Sequence, residues 1–411
     1  MLKLPTSDLS RDAKLLLAVT AFFAVSFYGI QVLLKVLYVL RLGFGPTYVG
    51  FFNASGALTY MAMSLPAGAL GTRYGARRTM IAGGLITVLG MIALPMSEFV
   101  PDALVAPWPL ASQVLTTLGW AMLNVSVIPA LSAVTSATTR QGALAICGSL
   151  RGVGTLGGTI VGGLLPDLFA RVLGTTTESP APYRYALLTG AVLAAAAMVP
   201  LFRLGALRAS AHEEVVTKSS RFPVWPMAVL LVHVYLTQGA WASCQAFSVA
   251  YMDDVLGVAT VTIGLLTAVA QGATAVAPLF APRLVRRWGD CGVMRIMVAG
   301  MALSLVPMAL FQNWLAVGVG RVGVLALAAA WMPALQMVQM EQMSAEWRAL
   351  GYGAVSMAMG FGFGSVSLAG GYLIAATSYR SVFALGAGLA LLGSAMTVAV
   401  QRTSQPSSTR G

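Results

Sequence analysis

Twelve runs of mostly apolar residues, each long enough to cross a lipid bilayer, divide this chain and limit what it can fold into. A hydrocarbon core about 30 Å thick is crossed by about 20 helical residues. Lipid offers no hydrogen bonds to an unpaired backbone, so each run has to be a helix. We place the spans at 15–39, 46–70, 79–97, 105–134, 142–168, 183–203, 224–252, 259–281, 293–311, 314–339, 350–376 and 380–401. Only 9% of the 411 residues are charged and 58% are hydrophobic, whereas soluble domains carry about 25% charged residues. A water-soluble globule is excluded. The first run is longer than a signal-peptide core and lacks a small-residue cleavage pattern, so it is expected to be a retained span.

The net charge of +12 could suggest a nucleic-acid partner, but the charge is not gathered on one face. Lys and Arg fall in the short gaps between runs, and alternate gaps hold most of them. Counting with the N-terminus inside, eighteen are cytoplasmic and only Arg41, Arg171, Arg184 and Arg380 lie outside. Basic residues concentrate on the cytoplasmic side of membrane proteins. We therefore expect a multi-pass protein of the cell membrane, plasma or inner, with both termini cytoplasmic. Nucleic acid is not an expected partner. Cys147, Cys244 and Cys291 are odd in number and two lie in apolar runs, which argues against a disulfide framework or a metal cluster. No cofactor is expected.

The two halves repeat. Leu42-Gly43, Gly50 and Gly75 align with Leu256-Gly257, Gly264 and Gly289 at one offset, which also sets Gln31 over Gln245. Pro129-Ala130-Leu131 recurs as Pro333-Ala334-Leu335, and Gly152, Gly154, Gly162 and Gly163 recur as Gly360, Gly362, Gly370 and Gly371. Duplicated halves of this kind are a membrane-transport architecture. The division expected is residues 1–203, a polar cytoplasmic linker at 204–223, and residues 224–411.

After the second span the segment Gly68-Ala69-Leu70-Gly71-Thr72-Arg73-Tyr74-Gly75-Ala76-Arg77-Arg78 resembles the loop signature G-x-L-x-D-R-x-G-R-R of the major facilitator superfamily. Gly68, Leu70, Arg73, Gly75, Arg77 and Arg78 carry the resemblance. Thr72 departs from it, since the family has an Asp there that latches the cytoplasmic gate against neighbouring helix ends. The resemblance implies an all-α integral membrane protein, with twelve transmembrane helices in two pseudo-symmetric six-helix bundles around a central cavity. The first and fourth helices of each half would line that cavity.

Other patterns mislead. Gly152-Val153-Gly154-Thr155-Leu156-Gly157 matches G-x-G-x-x-G, but no βαβ context surrounds it. Gly154, Gly158 and Gly162 recur every fourth residue of an apolar helix, the spacing of a close helix-packing stripe. Asn53-Ala54-Ser55 and Asn124-Val125-Ser126 match the glycosylation pattern but lie within spans. There is no H-E-x-x-H, G-x-S-x-G or phosphate-loop sequence, and carboxylates are scarce in the spans. An enzyme is not expected.

Charge in mid-bilayer is costly and usually faces a cavity. Arg151 lies about nine residues into the fifth span, roughly 14 Å along a helix, and its repeat partner is Met359. Arg321 lies inside the tenth span beside Gly318, Gly320 and Gly323, while Lys35 is expected to snorkel to the outer interface. Gln113, Thr117, Trp120 and Asn124 form one polar stripe of the fourth span. Gln238, Trp241 and Gln245 do the same on the seventh. Arg151, Arg321, Gln31, Asn124, Trp120, Gln238, Trp241 and Gln245 are thus the candidate substrate ligands, and His233 is a candidate for carrying a coupling proton.

The expected function is secondary active transport of a small organic solute by alternating access, the buried cations favouring an organic anion. Export of lipophilic compounds is the alternative, favoured by 21 Met and by Phe23, Phe27 and Trp241. A non-transporting receptor or a lipid scramblase is the alternative of another class. Expected partners are the substrate, a coupling proton or ion and the bilayer, with the monomer as the functional unit. The orientation is testable with single cysteines in a background lacking the three native ones. In intact cells Thr175→Cys should react with an impermeant thiol reagent and Ser404→Cys should not; the reverse pattern refutes it.

Overall fold

The computed structural model describes residues 9–205, 223–343 and 347–404. Those residues form helices and turns, with no strand among them. In chain order we label the helices α1 (Arg11–Arg41), α2 (Pro46–Tyr74), α3 (Ala76–Phe99), α4 (Pro107–Ala133), α5 (Ala137–Leu173) and α6 (Ala181–Phe202). The repeat follows as α7 (Val224–Asp254), α8 (Thr260–Val276), α9 (Ala281–Leu310), α10 (Trp314–Gln342), α11 (Arg348–Ala376) and α12 (Tyr379–Ser404). Ten helical stretches are long and apolar enough to cross a bilayer. The other two are α2, with 29 residues, and α8, with 17 residues and a 3₁₀ turn Ala277–Phe280 after it. The twelve-helix fold class read from the sequence is the one the structure has.

The chain packs as two compact units. The first comprises residues 1–44, 62–212 and 258–268, the second residues 45–61, 213–257 and 269–411. The grouping departs from the expected division of the sequence at 45–61 and 258–268, which pack with the opposite repeat. The linker expectation at 204–223 falls mostly on residues 206–222, outside the described residues. Gly205, just before them, donates its backbone N–H to Asp12 Oδ1 at 3.2 Å.

The repeat is written into the backbone. Gly43 and its partner Gly257 have φ of +86° and +59°, and Gly75 and Gly289 have +89° and +68°. L-residues pay for that left-handed region, so the aligned glycines mark turns that both halves must make. Gly75 ends α2 and starts α3. Gly289, at φ +68° and ψ +170°, likewise interrupts α9, which is two helical stretches meeting at a kink.

In the first unit the glycine stripe of α5 receives α1. A Cβ on Gly158 would lie 2.3 Å from the Val25 carbonyl oxygen, one on Gly154 would lie 2.6 Å from Ala24 Cβ, and one on Gly162 would lie 3.2 Å from Ile30 Cα. Backbone therefore meets backbone, the contact that small residues at this spacing permit. Over the same stretch, Ala24–Gln31, α1 is a π-helix, and the Val32 N–H reaches five residues back to Phe27. The G-x-G-x-x-G match lies inside this continuous helix and has no nucleotide-binding loop.

The second unit uses the same device. A Cβ on Gly50 of α2 would lie 2.6 Å from the Ser367 carbonyl oxygen of α11, and Gly360 and Gly364 of α11 meet Met61 and Leu58. Segment 258–268 behaves alike in the first unit, where a Cβ on Gly264 would lie 2.7 Å from Gly163 Cα. Gly50 and Gly264 are repeat partners, as are Gly163 and Gly371.

Replacing Gly158 by Ala should cost about 1–3 kcal/mol, because the added methyl meets backbone that cannot move aside alone. Gly157→Ala, where a Cβ meets nothing within 4 Å, should be close to neutral. Melting midpoints of the two purified variants in detergent check this, and equal midpoints refute it.

Candidate functional site

In the first unit α1, α4 and α5 bring the polar stripe and the cations together. Asn124 of α4 accepts a hydrogen bond from Arg151 Nη2 at 2.6 Å. The Tyr28 hydroxyl accepts a second from the same nitrogen. The guanidinium also lies 4.6 Å from the centroid of the Tyr28 ring, a cation–π arrangement. Trp120 stacks on Phe27 at 4.4 Å with 17° between planes, and meets Tyr28 edge-on at 5.1 Å and Phe23 at 5.6 Å. Arg151, Asn124, Tyr28, Trp120, Phe23 and Thr20 border one narrow cleft with room for about 30 Å³.

Arg151 is half-buried, and among the described residues no carboxylate pairs with it. Its partners are an amide, a phenol and an aromatic face. They orient the charge without cancelling it, and an uncompensated charge away from water is costly. Lys35 Nζ donates to Gln113 Oε1 at 3.4 Å, and Gln113 Nε2 donates to Thr117 at 3.5 Å. The α4 stripe thus holds one cation near each end, roughly 16 Å apart along the helix by its rise. Gln31 sits on the π-segment, 2% exposed, with its carbonyl oxygen lacking a donor among the described residues.

In the second unit α7, α8 and α10 enclose a cavity of about 390 Å³, within the usual range for small-molecule sites. Gln238, Trp241 and Gln245 of α7 face it, as their spacing predicts, together with Gln271 and Thr274 of α8 and Leu325, Ala328, Ala329, Trp331 and Met332 of α10. Trp241 leans on Phe363 at 5.4 Å. Gln245 repeats the state of Gln31, its repeat partner: its carbonyl oxygen is buried with no donor among the described residues. Gln271, Thr274 and Trp331 were not among the sequence candidates. The signal for the first two was their three-residue spacing in a helix without charged residues, where Gln271 is the one amide.

Arg321 is only 2% exposed and lines no part of that cavity. One of its amino groups donates to the Ser248 hydroxyl of α7, and its Nε has no acceptor among the described residues. The structure therefore gives Arg321 of α10 a helix-to-helix contact with α7.

His233 is fully buried, and both ring nitrogens are engaged. Trp331 Nε1 donates to His233 Nε2 at 3.1 Å, and His233 Nδ1 faces the Gly393 carbonyl oxygen at 2.9 Å. An indole N–H only donates and a carbonyl only accepts. The ring is therefore neutral, with its proton on Nδ1, and a second proton on Nε2 would displace Trp331.

The loop signature sits where α2 turns into α3. Gly68 and Leu70 lie in the last turns of α2, and Gly75 makes the break. The Thr72 hydroxyl returns to its own helix at Ala69 O, 2.8 Å away, and so makes no latch between helices. Arg73 lies over the Tyr74 ring at 5.3 Å, and Arg78 is exposed. Arg77 Nη2 donates to Phe202 O at 2.8 Å, capping the last turn of α6, where helix carbonyls lack partners.

No curated protein sequence matches this chain. The nucleoside transporter NupG, in a point-mutant form, superimposes with a TM-score of 0.75 at 14% identity over 95% of this chain and 100% of that one. A bacterial homologue of the human lysosomal transporter Spinster gives 0.71 at 14% identity over 95% and 97%. The xylose transporter XylE from E. coli gives 0.72 at 13% identity over 95% and 96%. At such identity these likenesses show the fold. The Major Facilitator Superfamily model matches the sequence twice, over residues 16–243 and 229–411, and the chain belongs to that superfamily of membrane transporters.

Proposed function

We propose that this transporter moves a small organic anion across the cell membrane by alternating access, as a monomer with both termini cytoplasmic, without a cofactor and coupled to a proton or another ion. The observation that carries the reading is Arg151. It is a cation within the span of α5, oriented by Asn124 and Tyr28, open to a cleft, and lacking a carboxylate partner among the described residues. A carboxylate or phosphate arriving there gains a charge-assisted hydrogen bond and relieves the burial cost of the cation. The sequence suggested two such arginines. With Arg321 buried against Ser248, the anion reading rests on Arg151. Proton coupling at His233 would have to break the Trp331 contact, so the coupling ion need not be carried there.

Export of lipophilic compounds has its own support. The Phe23, Phe27, Tyr28 and Trp120 cluster and the Met332-bearing wall of the second cavity offer aromatic and soft apolar surface. The two readings separate in one measurement on purified protein, since a ligand that binds the folded state raises its melting midpoint. Organic anions should stabilise the wild type, and Arg151→Met should weaken that response at least about tenfold in concentration, with Arg151→Lys in between. A folded Arg151→Met protein that keeps the anion response refutes the anion reading. Stabilisation by hydrophobic dyes alone favours export.

A further inference from the structure

The loop signature leaves most of its charge unspent. Arg77 caps α6 at Phe202 O, whereas Arg73 and Arg78 are exposed, and no carboxylate pairs with either among the described residues. Thr72 is neutral and keeps its hydroxyl on Ala69 O. Arg73 lies instead over the ring of its neighbour Tyr74, itself exposed. The repeat has the same construction. Arg287-Trp288-Gly289 takes the place of Arg73-Tyr74-Gly75, and the Arg287 guanidinium lies 5.0 Å from the centroid of the exposed Trp288 ring. Arg283 and Arg286 add exposed cations there. The carboxylate nearest in sequence is Asp290, whose Oδ1 is buried with no donor among the described residues. Setting the orientation of the chain requires only positive charge; a cation held against an exposed ring at two aligned turns is a more specific arrangement.

Beyond Arg78 the surface changes character. Leu85, Leu89 and Ile92 are exposed on α3 and fall with Arg78 on one stripe of a regular helix, while Gly83 and Gly90 pack against α4. Cations, then an aromatic ring, then bare apolar surface follow the order of phosphate, glycerol and acyl chain in a phospholipid. We propose that the α2–α3 turn binds an anionic phospholipid, with its phosphate on Arg73 and Arg78, Tyr74 at the glycerol level and an acyl chain along the α3 stripe. Arg287 and Trp288 form the equivalent site of the repeat. Guanidinium pairs with phosphate through charge-assisted hydrogen bonds, aromatic rings favour the headgroup level, and basic clusters at helix ends collect anionic lipid. Free phosphate offers the same oxygens but nothing for the ring or the stripe. The inference does not rest on the anion reading, since Arg151 takes no part in it. Both turns follow even-numbered spans, so the proposed orientation sets them at the inner leaflet.

The test is native mass spectrometry of the full chain in detergent. The probes are palmitoyl-oleoyl phosphatidylglycerol, phosphatidylcholine with the same chains, and inorganic phosphate as competitor. Two phosphatidylglycerol molecules should be retained at concentrations where phosphatidylcholine is not, and phosphate should not displace them. Arg73→Gln and Arg78→Gln should each weaken one of the two binding events about fivefold, the share of one arginine near an anionic surface, and Arg287→Gln should weaken the other. Thr72→Asp, which sets a carboxylate beside Arg73, should weaken the first event by a similar factor. Arg171→Gln, which removes an exposed arginine from the last turn of α5, should change neither. Arg151→Met should leave both intact, which separates this site from the proposed substrate site. Equal retention of phosphatidylcholine, or a loss at Arg171→Gln as large as at Arg73→Gln, overturns the site. Displacement by inorganic phosphate overturns lipid as its occupant. Should the arginine variants not fold, Thr72→Asp decides: unchanged lipid retention refutes the proposal and a selective loss of one molecule supports it.

Discussion

Hydrocarbon cannot hydrogen-bond, and each feature of this protein can be traced to that. A backbone amide left unpaired in lipid costs several kcal/mol, which forces the chain into twelve helices and leaves the side chains little choice but to be apolar or paired. Helices in lipid gain nothing from burying grease against grease, so they associate through close contact. The glycines of α5 and α11 supply that contact. A missing Cβ at Gly158 or Gly50 lets carbonyl oxygens approach where any other residue would intrude.

Against that background a charge inside the spans is costly enough to need a reason, and the three basic residues answer differently. Lys35 and Arg151 are both bound by the α4 stripe, through Gln113 and Asn124, and Arg151 borders a cleft. Arg321 is closed in against Ser248. Position in the sequence put Arg151 and Arg321 on equal terms; packing separates them. The pattern in the second unit is the complement: a roomy cavity with no charged side chain among its described lining residues, walled by amides and indoles.

Much of this was legible beforehand because the bilayer imposes simple rules. Span length, the alternation of basic gaps and the internal repeat define the twelve helices, and the loop after α2 points to the superfamily. The α4 and α7 stripes were readable because polar residues at helical spacing leave few alternatives in lipid. What was not legible depends on geometry between helices. Nothing local to Trp331 says that it closes a cavity, since that follows from where α10 meets α7. Nothing local to His233 reveals that both ring nitrogens are occupied, one of them by a carbonyl 160 residues away in the chain. The pairing of segments 45–61 and 258–268 with the opposite repeat was equally hidden, because Gly50 and Gly264 show in the sequence only as repeat partners inside two spans.

The π-helical stretch of α1 carries a consequence for how the first helix aims its side chains. One additional residue lodged in a helix turns everything beyond it by roughly 100° relative to a regular wheel. Phe27, Tyr28 and Gln31 lie within that stretch, and Lys35 lies past it. A helical wheel drawn through the whole of α1 therefore misassigns one end or the other. The phase slip lets one helix offer Tyr28 to Arg151 and Lys35 to Gln113 while its backbone rests against Gly158.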